Sequence, residues 1–416
     1  MRQGHLSQYF RGVAAKRLSA VEIDAVRSHQ HEINGDGGLR RLLGEVTERV
    51  HFTGRFVYVN DNDAEPVVDD GFFTWYDARQ RARLERGVER TEYRLYFPDT
   101  AVTNRGRVAD LLILARMQDD TLLAVVAEGN STAERQMRWL FGLADLADGF
   151  TVRSEEEGDR VRLEFAARFI LRQIGVETED DRGAEGFVEE LLHRFGAGFP
   201  PTRDFSSFAR ATVGNVVAGA EPDETLLAWM DREEMLFRAL ERHLIAQRLR
   251  QGFEEDVDGF ISFSLSVQNR RKSRVGAALE NHLEEIFRAG RVRYARAAVT
   301  ENRSRPDFLF PGAAEYRDSG FEAARLSMLG VKSTCKDRWR QVLTEAYRIP
   351  DKHLLTLEPG ISEFQTDEMR SCRLRLVLPK SLHQTFTPRQ QRWLMSLGEF
   401  VALMVRKGRS DFALGR

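Results

Sequence analysis

The sequence is poor in cysteine, in long apolar runs and in net charge, and each shortage excludes a class of protein. Its two cysteines, Cys335 and Cys372, fit no paired metal-ligand spacing and predict reduced thiols rather than a disulfide scaffold. It contains no run of about 18 apolar residues, which a membrane-spanning helix needs. The start, MRQGHLSQYFRG, lacks the apolar core and cleavage site of a secretion signal. We therefore expect a cytoplasmic protein that does not cross a membrane.

The charges are nearly balanced, with 62 Lys and Arg against 64 Asp and Glu. This balance gives no overall attraction to nucleic acid, so any affinity for DNA must come from local basic patches. A chain of 416 residues exceeds a single typical core. We therefore expect two domains.

Residues 1–174 predict a mainly β domain that is closed by a helix. Strand-like runs occupy residues 55–59, 92–97, 109–117 and 121–128, and the short polar segment between the last two predicts a hairpin. Ser131, with Glu134 three residues later, has the pattern of a helix N-cap. The acidic, Gly-rich and Pro-rich stretches within 175–200 flank a short amphipathic helix and predict an interdomain linker.

Residues 201–416 alternate between helical and strand-like patterns. Helices are predicted over 223–250, 273–289, 336–348 and 387–406, and strands over 292–299, 307–310, 326–333, 353–357 and 372–378. The order predicts a mixed sheet with helices on its faces, which is an α/β domain.

The chemistry of this second domain is suggested by an acid and a lysine on neighbouring strands. Asp307 follows Pro306 at the start of one apolar strand, and Lys332 ends the next, SMLGVK. Phosphodiester hydrolysis needs carboxylates to hold a divalent metal and a cation beside the phosphate. Nucleases with this pattern usually have a second acid two residues before the lysine, but here that position is Gly330. Glu345, on the predicted following helix, is the candidate to replace that acid. Glu280 is a further acid that can complete the site. Taken alone, Glu345 and Glu280 are also compatible with surface acids.

The sequence around these residues resembles that of the EcoRII-type restriction endonucleases, in which the second acid has moved to the helix after the lysine. The matching stretches are SVQNRRKSRVGAALENHLEEIF, RPDFLFPGAAEY and LGVKSTCKDRWRQVLTEA, and RLVLPKSLH is a weaker match. The resemblance implies a magnesium-dependent type II nuclease with a PD-(D/E)XK-like (restriction-endonuclease-like) fold that cuts double-stranded DNA at a CCWGG-like site. It implies that Asp307 and Glu345 bind Mg²⁺, that Lys332 and Tyr316 belong to the active site, and that Glu280 matches an acidic helix position.

Two basic segments are candidates for DNA contact. Lys336, Asp337 and Arg338 lie at the start of the predicted 336–348 helix, where an Asp-Arg pair suits G·C base pairs. The alternative is a first-turn acid that interacts with the helix dipole and a solvated arginine. The second segment is a run before a helix, containing Arg270, Arg271 and Arg274, which can contact phosphates or can be solvated.

The N-terminal half resembles the effector domain of the same family, a β-barrel-like (B3-like) DNA-binding module. The shared segment KRLSAVEIDAVRSHQ contains Lys16, Arg17 and His29. The segment RTEYRL is similar to a stretch with which the family touches DNA, and alternation would direct Arg90, Glu92 and Arg94 to one side of a strand edge. The resemblance implies that this domain masks the nuclease until a further copy of the site is bound.

The partners that follow are double-stranded DNA, a second copy of the chain and, in the genome, a companion DNA methyltransferase. A twofold recognition site suits a homodimer in which each subunit cuts one strand. Two alternatives stay open. One is a repair or nicking nuclease of the same fold, and the other is a DNA-binding regulator with a vestigial nuclease site.

Overall fold

The chain divides into two compact units. Unit 1 is Met1–Thr178 with Pro359–Ser362, and unit 2 is Glu179–Glu358 with Glu363–Arg416. The computed structural model describes residues 6, 9–23, 31–63, 65–87, 90–143, 146, 149–154, 165–176, 185–196, 198–214, 216–334 and 338–413. The expected bounds of 1–174, 175–200 and 201–416 stay a prediction.

Unit 1 is built on one sheet. Its strands are β1 Phe10–Arg17, β2 Glu32–Gly35, β3 Val50–Val59, β4 Val67–Asp77, β5 Tyr93–Tyr96, β6 Leu111–Met117, β7 Leu122–Ala127 and β8 Thr151–Ser154. Its helices are α1 Ala20–Ile23, α2 Gly37–Leu43, α3 Gln80–Arg86, α4 Thr132–Phe141 and α5 Phe165–Gln173. The described strands pair in the order β2-β5-β4-β3-β7-β6-β1-β8. The predicted hairpin is confirmed, since β6 and β7 pair antiparallel.

The sheet of unit 1 curls, because strands from its two ends contribute to one core. Ile33 of β2 and Ala14 of β1 share a buried cluster with Leu39 and Leu43 of α2. The opposite face is covered by α4 and α5, and their buried side chains include Met137 and Ile170. The predicted N-cap is confirmed: the Ser131 side chain accepts a hydrogen bond from the Glu134 N–H and satisfies one free donor of the first turn.

Unit 2 combines long helices with a five-stranded sheet. Its helices are α6 Glu185–Phe195, α7 Thr202–Ala211, α8 Pro222–Gln251, α9 Val257–Ala289, α10 Ala313–Arg317, α11 Trp339–Leu343, α12 Glu363–Ser371, α13 Pro388–Gln391 and α14 Leu397–Ala413. Its strands are β9 Ala295–Arg296, β10 Phe308–Phe310, β11 Ser327–Lys332, β12 Lys352–Thr356 and β13 Leu374–Val377. Within the described residues of unit 2, short 3₁₀ helices cover Glu301–Arg303, Ala323–Arg325 and Lys380–Thr385.

The sheet of unit 2 is mixed, as the sequence predicts. Its described order is β13-β12-β11-β10-β9, with β9, β10 and β11 antiparallel and β11, β12 and β13 parallel. One face carries aromatic rings of β10 that pack on α9 and α14, with the Phe287 and Phe310 centroids 5.3 Å apart. α6, α7 and α8 form a separate apolar cluster around Leu191, Phe205 and Leu236. The helix inside the predicted linker therefore packs into unit 2.

Several predicted elements of unit 2 have other bounds in the structure. The strand predicted over 292–299 is reduced to β9, because Ala297 adopts a positive φ of 50° that interrupts the extended chain. The helix predicted over 336–348 is only Trp339–Leu343 within the described residues. The helix predicted over 387–406 is divided into α13 and α14, since residues 392–396 between them leave the helix to bridge Met395 to Val377 of β13.

None of the helices that the structure describes is long and apolar enough to cross a membrane.

Candidate active site

Asp307 and Lys332 meet because β10 and β11 run antiparallel. β10 begins directly after Asp307, and β11 ends at Lys332. The pairing of Phe308 with Leu329 makes the start of one strand the neighbour of the end of the other. Lys332 Nζ lies 3.3 Å from Asp307 Oδ2, and the Val331 N–H donates to the same oxygen at 2.6 Å. The carboxylate is thus fixed by the backbone of β11 and faces the lysine.

Gly330 allows α11 to approach the sheet closely. A Cβ atom at this position would stand 2.8 Å from Val342 Cγ2 and 3.1 Å from Val342 Cγ1. Distances this short are not tolerated between carbon atoms, so any side chain at residue 330 would push the helix away. The glycine that takes the place of the usual acid therefore creates the room in which α11 packs on β11.

Glu345 follows that closely packed helix and lies near Asp307. Its backbone N–H donates to Val342 O at 3.2 Å, one turn back along the chain. Burial raises the pKa of the Glu345 carboxyl, and the negative charge of Asp307 raises it further. The charges of Lys332 and Lys352 act in the opposite direction. The structure therefore groups Asp307, Lys332 and Glu345, although Glu345 lies just past the helix and not on it.

The surroundings of the Glu345 carboxylate indicate whether a divalent cation would fit beside Asp307 and Glu345. Glu345 Oε2 is inaccessible to solvent and has no hydrogen-bond donor among the described residues. A buried carboxylate without a donor is costly unless a positive charge stands beside it. Two carboxylates with one unsatisfied oxygen are a donor set that Mg²⁺ accepts, since it prefers oxygen ligands and keeps several waters. Among the described residues no cluster of three or more His, Cys, Asp or Glu forms a metal site.

Tyr316 supports the turn that carries Glu345. Its side chain is buried, and its hydroxyl donates to Glu301 Oε2 at 2.6 Å. Burial raises the pKa of the Tyr316 hydroxyl, and the hydrogen bond to Glu301 raises it further. The same Glu301 oxygen accepts a long hydrogen bond of 3.4 Å from the Tyr347 N–H. Tyr316 thus stays protonated, and Glu301 links it to the segment after Glu345.

Sequence reasoning missed Glu301 and two cations of this turn. Lys352 Nζ is buried and donates to Ala346 O at 3.1 Å and to Ile349 O at 2.8 Å. Burial lowers the pKa of the Lys352 ammonium, while the charges of Glu345 and Glu301 counteract this. Arg348 donates to carbonyls of the 316–321 segment. The only signal for Lys352 in the sequence is a lysine at the start of the apolar strand KHLLT.

Glu280, the further predicted acid, lies on α9 and is paired with a cation. Its carboxylate accepts a hydrogen bond from Arg296 Nη2 at 2.9 Å. Arg296 Nη1 also donates at 2.9 Å to both Asn281 and Glu284. The contacts of Glu280 in this structure are therefore to Arg296, and its part in the reaction stays a prediction.

The three residues predicted to contact bases fall at the edge of what the structure describes. Lys336 and Asp337 lie outside the described residues. Arg338 is exposed and precedes α11 as its N-cap residue, with no side-chain cap hydrogen bond. Its guanidinium is therefore accessible to a ligand.

The basic run around residue 270 is inside α9 and not before it, which corrects the sequence interpretation. The guanidinium of Arg274 is buried over the rings of Phe205 and Phe237, at 4.4 and 4.8 Å from their centroids. Arg271 pairs with Glu241 Oε2 at 2.7 Å, and Arg270 lies 4.3 Å from the centre of the Phe199 ring. Arg274 is therefore not available to a phosphate in this structure, because it packs in the helical core.

The basic candidates of unit 1 are mostly paired with acids. Lys16 Nζ lies 2.6 Å from Glu22 Oε1, and Arg17 Nη2 lies 2.6 Å from Glu134 Oε1. His29 lies outside the described residues.

The RTEYRL segment is not on a sheet edge, because β5 lies between β2 and β4. Alternation does place Glu92 and Arg94 together, and they form an ion pair. Hydrogen bonds from Arg94 and Arg79 lower the pKa of Glu92 to about 2. Arg90 is exposed just before the strand. The predicted edge is therefore wrong: Glu92 and Arg94 pair with each other, and of the three predicted contacts Arg90 alone has no charged partner among the described residues.

Comparison with known proteins finds a family match that lies almost entirely in unit 2. Residues 237–401 match the family described as EcoRII C terminal. This region is similar to the EcoRII C-terminal domain. The resemblance that the motifs predicted is thereby confirmed for the part of the chain that contains Asp307, Lys332 and Glu345.

A curated relative and two solved structures extend the comparison. The type II restriction enzyme EcoRII of Escherichia coli is 46% identical over 183 residues, which cover 44% of this chain and 45% of that enzyme. The match thus spans less than half of the relative's length. A metal-depleted Ecl18kI in complex with uncleaved DNA has a TM-score of 0.45 at 15% identity, covering 55% of this chain and 84% of that one. A PspGI–substrate DNA complex has a TM-score of 0.41 at 14% identity, covering 50% and 93%.

Proposed function

We propose that this chain is a type II restriction endonuclease that hydrolyses phosphodiester bonds of double-stranded DNA. The observation that carries the proposal is the contact of Asp307 with Lys332, close to the buried Glu345, inside the region that matches the EcoRII C-terminal family. Two carboxylates beside a lysine are what metal-assisted phosphodiester hydrolysis requires.

Asp307 and Glu345 would hold Mg²⁺ in this proposal. The bound ion would supply Lewis-acid polarisation of the scissile phosphate. The unsatisfied Oε2 of Glu345 and its raised pKa support this, because a cation would stabilise the ionised carboxylate.

Lys332 would act on the phosphate and on the attacking water. Its ammonium group is held 3.3 Å from Asp307 Oδ2, which fixes its position without burying it completely. There it offsets the negative charge that develops as water adds to phosphorus and the bond to the 3′-oxygen breaks. The products would be 5′-phosphate and 3′-hydroxyl ends. Tyr316 would act as a positioning residue, since it holds Glu301 and the turn after Glu345.

Recognition of a CCWGG-like sequence would come from Lys336, Asp337 and Arg338. An arginine pairs with guanine O6 and N7, and an aspartate accepts from cytosine N4. The exposure of Arg338 at the start of α11, the helix that packs on β11, supports this assignment.

Unit 1 would be a B3-like effector domain that binds another copy of the site. Its curled sheet and the exposed Arg90 support a DNA-binding role. The active protein would be a cytoplasmic homodimer, with a companion methyltransferase that protects the host DNA. If unit 1 restrains the nuclease, plasmids with one site would be cut more slowly than plasmids with several, because effector binding must supply the free energy of release.

Cleavage of plasmids with one or several CC-W-GG sites, in Mg²⁺ and in EDTA, tests the proposal. The wild type should give discrete fragments only with Mg²⁺. Lys332→Ala and Asp307→Asn should abolish them. Asp258→Asn, which changes an exposed acid at the start of α9, is the matched control and should cut like the wild type.

Two outcomes would overturn the proposal in different ways. Binding to these plasmids without cutting would favour a regulator with a vestigial nuclease site. Single-strand nicks that do not depend on the CC-W-GG sites would favour a repair or nicking nuclease.

A further inference from the structure

Unit 2 has a second basic surface that the proposed reaction does not use. A concavity of about 520 Å³ is lined by Arg370, Arg375, Arg389, Arg392 and Trp393. We call it the arginine pocket. The four arginines are exposed and Trp393 is half-buried. They come from the end of α12, from β13, and from α13 with the residues just after it.

The acids nearest in sequence pair with Arg389 and Arg340, so the other three arginines give the pocket a net positive charge. Glu363 and Asp367 of α12 both pair with Arg389, at 3.6 and 2.8 Å. Glu368 pairs with Arg340, at 2.7 Å. Among the described residues, Arg370, Arg375 and Arg392 therefore have no carboxylate partner. Three uncompensated guanidinium groups around one concavity attract an anion, and their planar forks match phosphate oxygens.

The strand register separates the pocket from the reaction centre. Leu329 of β11 pairs with His353 of β12, which pairs with Arg375 of β13. Arg375 is therefore level with Leu329, three residues before Lys332, which corresponds to about 10 Å along the strands. It also lies two strands away on the outer strand of the sheet. The major groove of DNA is about 12 Å wide, so backbone phosphates beyond the cleaved bond can lie at this distance from it.

We propose that the arginine pocket binds the phosphodiester backbone of DNA outside the cleaved bond. This inference rests on the proposed function, because it takes the ligand to be DNA. Arg370, Arg375 and Arg392 contact phosphate oxygens, and Trp393 forms the apolar wall against which the sugar packs. Such contacts carry no sequence information, so they position the duplex and strengthen binding to every sequence equally.

The test compares two charge-matched double variants of the full chain. Arg375→Gln/Arg392→Gln removes two unpaired arginines from the pocket. Arg250→Gln/Arg291→Gln removes two exposed arginines of the same unit, distant in sequence from α12, β13 and α13. Binding to duplexes with and without a CC-W-GG site is measured in EDTA over about 50 to 200 mM salt, a range in which phosphate contacts dominate the change in affinity. Cleavage is then followed at saturating DNA in Mg²⁺.

The pocket variant should lower the slope of log Kd against log salt by about 1 to 2, since each lost phosphate contact removes about 0.9. The loss of affinity should be the same for both duplexes, and kcat should stay unchanged because the pocket does not touch the reacting bond. The control variant should keep the wild-type slope. Equal slopes for the wild type and the pocket variant would overturn the inference while leaving the nuclease intact. A wild type that binds no DNA would overturn the proposed function and the inference together.

A second experiment distinguishes binding of the DNA backbone from binding of a free phosphorylated anion. Inorganic pyrophosphate is titrated against the wild type and the pocket variant, and the melting temperature is recorded. The inference predicts no difference between the two proteins at pyrophosphate concentrations far above the Kd for DNA. Stabilisation of the wild type alone, without a change in the salt slope for DNA, would show that the pocket serves a small phosphorylated ligand and would overturn the assignment to DNA.

Discussion

The charged residues of unit 1 and those at the catalytic edge of unit 2 differ in how completely they are paired. In unit 1, Glu134 is buried but accepts hydrogen bonds from Arg17 Nη2 and from the Asn130 N–H, both at 2.6 Å. In unit 2, Glu345 Oε2 is buried and accepts none within the described part of the chain. Glu134 lies in the first turn of α4 and Glu345 just past the end of α11, yet only Glu134 has both carboxylate oxygens bonded to the protein.

This difference in pairing distinguishes acids that stabilise the fold from acids that are available to a ligand. A paired buried acid fixes two elements of the fold, and breaking the pair destabilises the folded state. An unpaired buried acid costs stability in the isolated protein, and the fold retains it only where a ligand supplies the missing partner. The arginines of the pocket differ in the same way. Arg389 is paired with acids of α12, whereas Arg375 and Arg392 have no acidic partner among the described residues.

Glu345→Gln should lower cleavage more than any other substitution of the buried acids. It should reduce cleavage by about 10²–10³-fold or more, the usual scale for an electrostatic group at a reaction centre. The melting temperature in EDTA should stay the same or rise, because the change removes a buried charge without altering the volume.

Glu134→Gln is its structural counterpart and should behave in the opposite way. Loss of the charge-assisted hydrogen bonds to Arg17 and Asn130 should destabilise the protein by about 1–3 kcal/mol. Both variants are measured by thermal denaturation and by cleavage. Equal destabilisation by the two substitutions would show that Glu345 is paired in solution and would contradict the comparison.

Gly330→Ala should give the next largest effect. The new methyl group would stand 2.8 Å from Val342 Cγ2, so α11 must move and carry Glu345 with it. We expect a loss of stability of about 1–3 kcal/mol. Cleavage should fall by about tenfold or more, because small displacements of catalytic groups are costly.

Val342→Ala restores the space that the new methyl group needs. The double variant Gly330→Ala/Val342→Ala should therefore recover cleavage relative to Gly330→Ala alone, with Val342→Ala as the reference for the lost apolar contact. If Gly330→Ala cuts like the wild type, the close packing of α11 on β11 has no part in placing Glu345.

Tyr316→Phe should have a smaller effect. It removes the hydroxyl that donates to Glu301 Oε2 and leaves that carboxylate without its shortest hydrogen bond. A loss of about 1–2 kcal/mol in the free energy of unfolding is expected. If Tyr316 is a positioning residue, the single-turnover rate should fall while the dependence of the rate on Mg²⁺ concentration shifts to higher values. A rate loss without that shift would favour direct contact with the DNA.

The pH dependence of stability gives the smallest effect and the opposite sign in the two units. The folded pKa of Glu345 is raised above the unfolded value of about 4.3, so its contribution falls as the pH rises through and above that value. Glu92, with a pKa lowered to about 2, contributes above pH 4.3 and loses this contribution as the pH falls toward 2. Melting curves of Glu345→Gln and Glu92→Gln against the wild type, in EDTA, should diverge in these two directions.

The sequence predicts the strands that carry the reaction centre, because their apolar runs are bounded by clear signals. Pro306-Asp307 opens β10, and Lys332 closes the uninterrupted run SMLGVK of β11. The N-cap at Ser131 is equally local, since one side chain and one N–H three residues later determine it. What is local in the chain can be predicted from the sequence.

Features that depend on tertiary contacts escape such prediction. The start of α9 reads ISFSLSV, whose strict alternation is typical of a strand, and yet it is helical with Ile261 and Leu265 half-exposed. The pairing of Glu301 with Tyr316 joins residues that have no shared pattern in the sequence. Arg274 belongs to a basic run that looks solvated, and only the packing of Phe205 and Phe237 around its guanidinium shows that it is buried.

The two carboxylates are tested most directly by single-turnover cleavage of a duplex with two CC-W-GG sites, in Mg²⁺, by four proteins. These are the wild type, Asp307→Asn, Glu345→Gln and the exposed-acid control Asp258→Asn. We expect cleavage by the wild type and by Asp258→Asn, and its loss in the other two variants while they still bind the duplex. Undiminished cleavage by Asp307→Asn or Glu345→Gln would contradict the claim that these two carboxylates form the reaction centre.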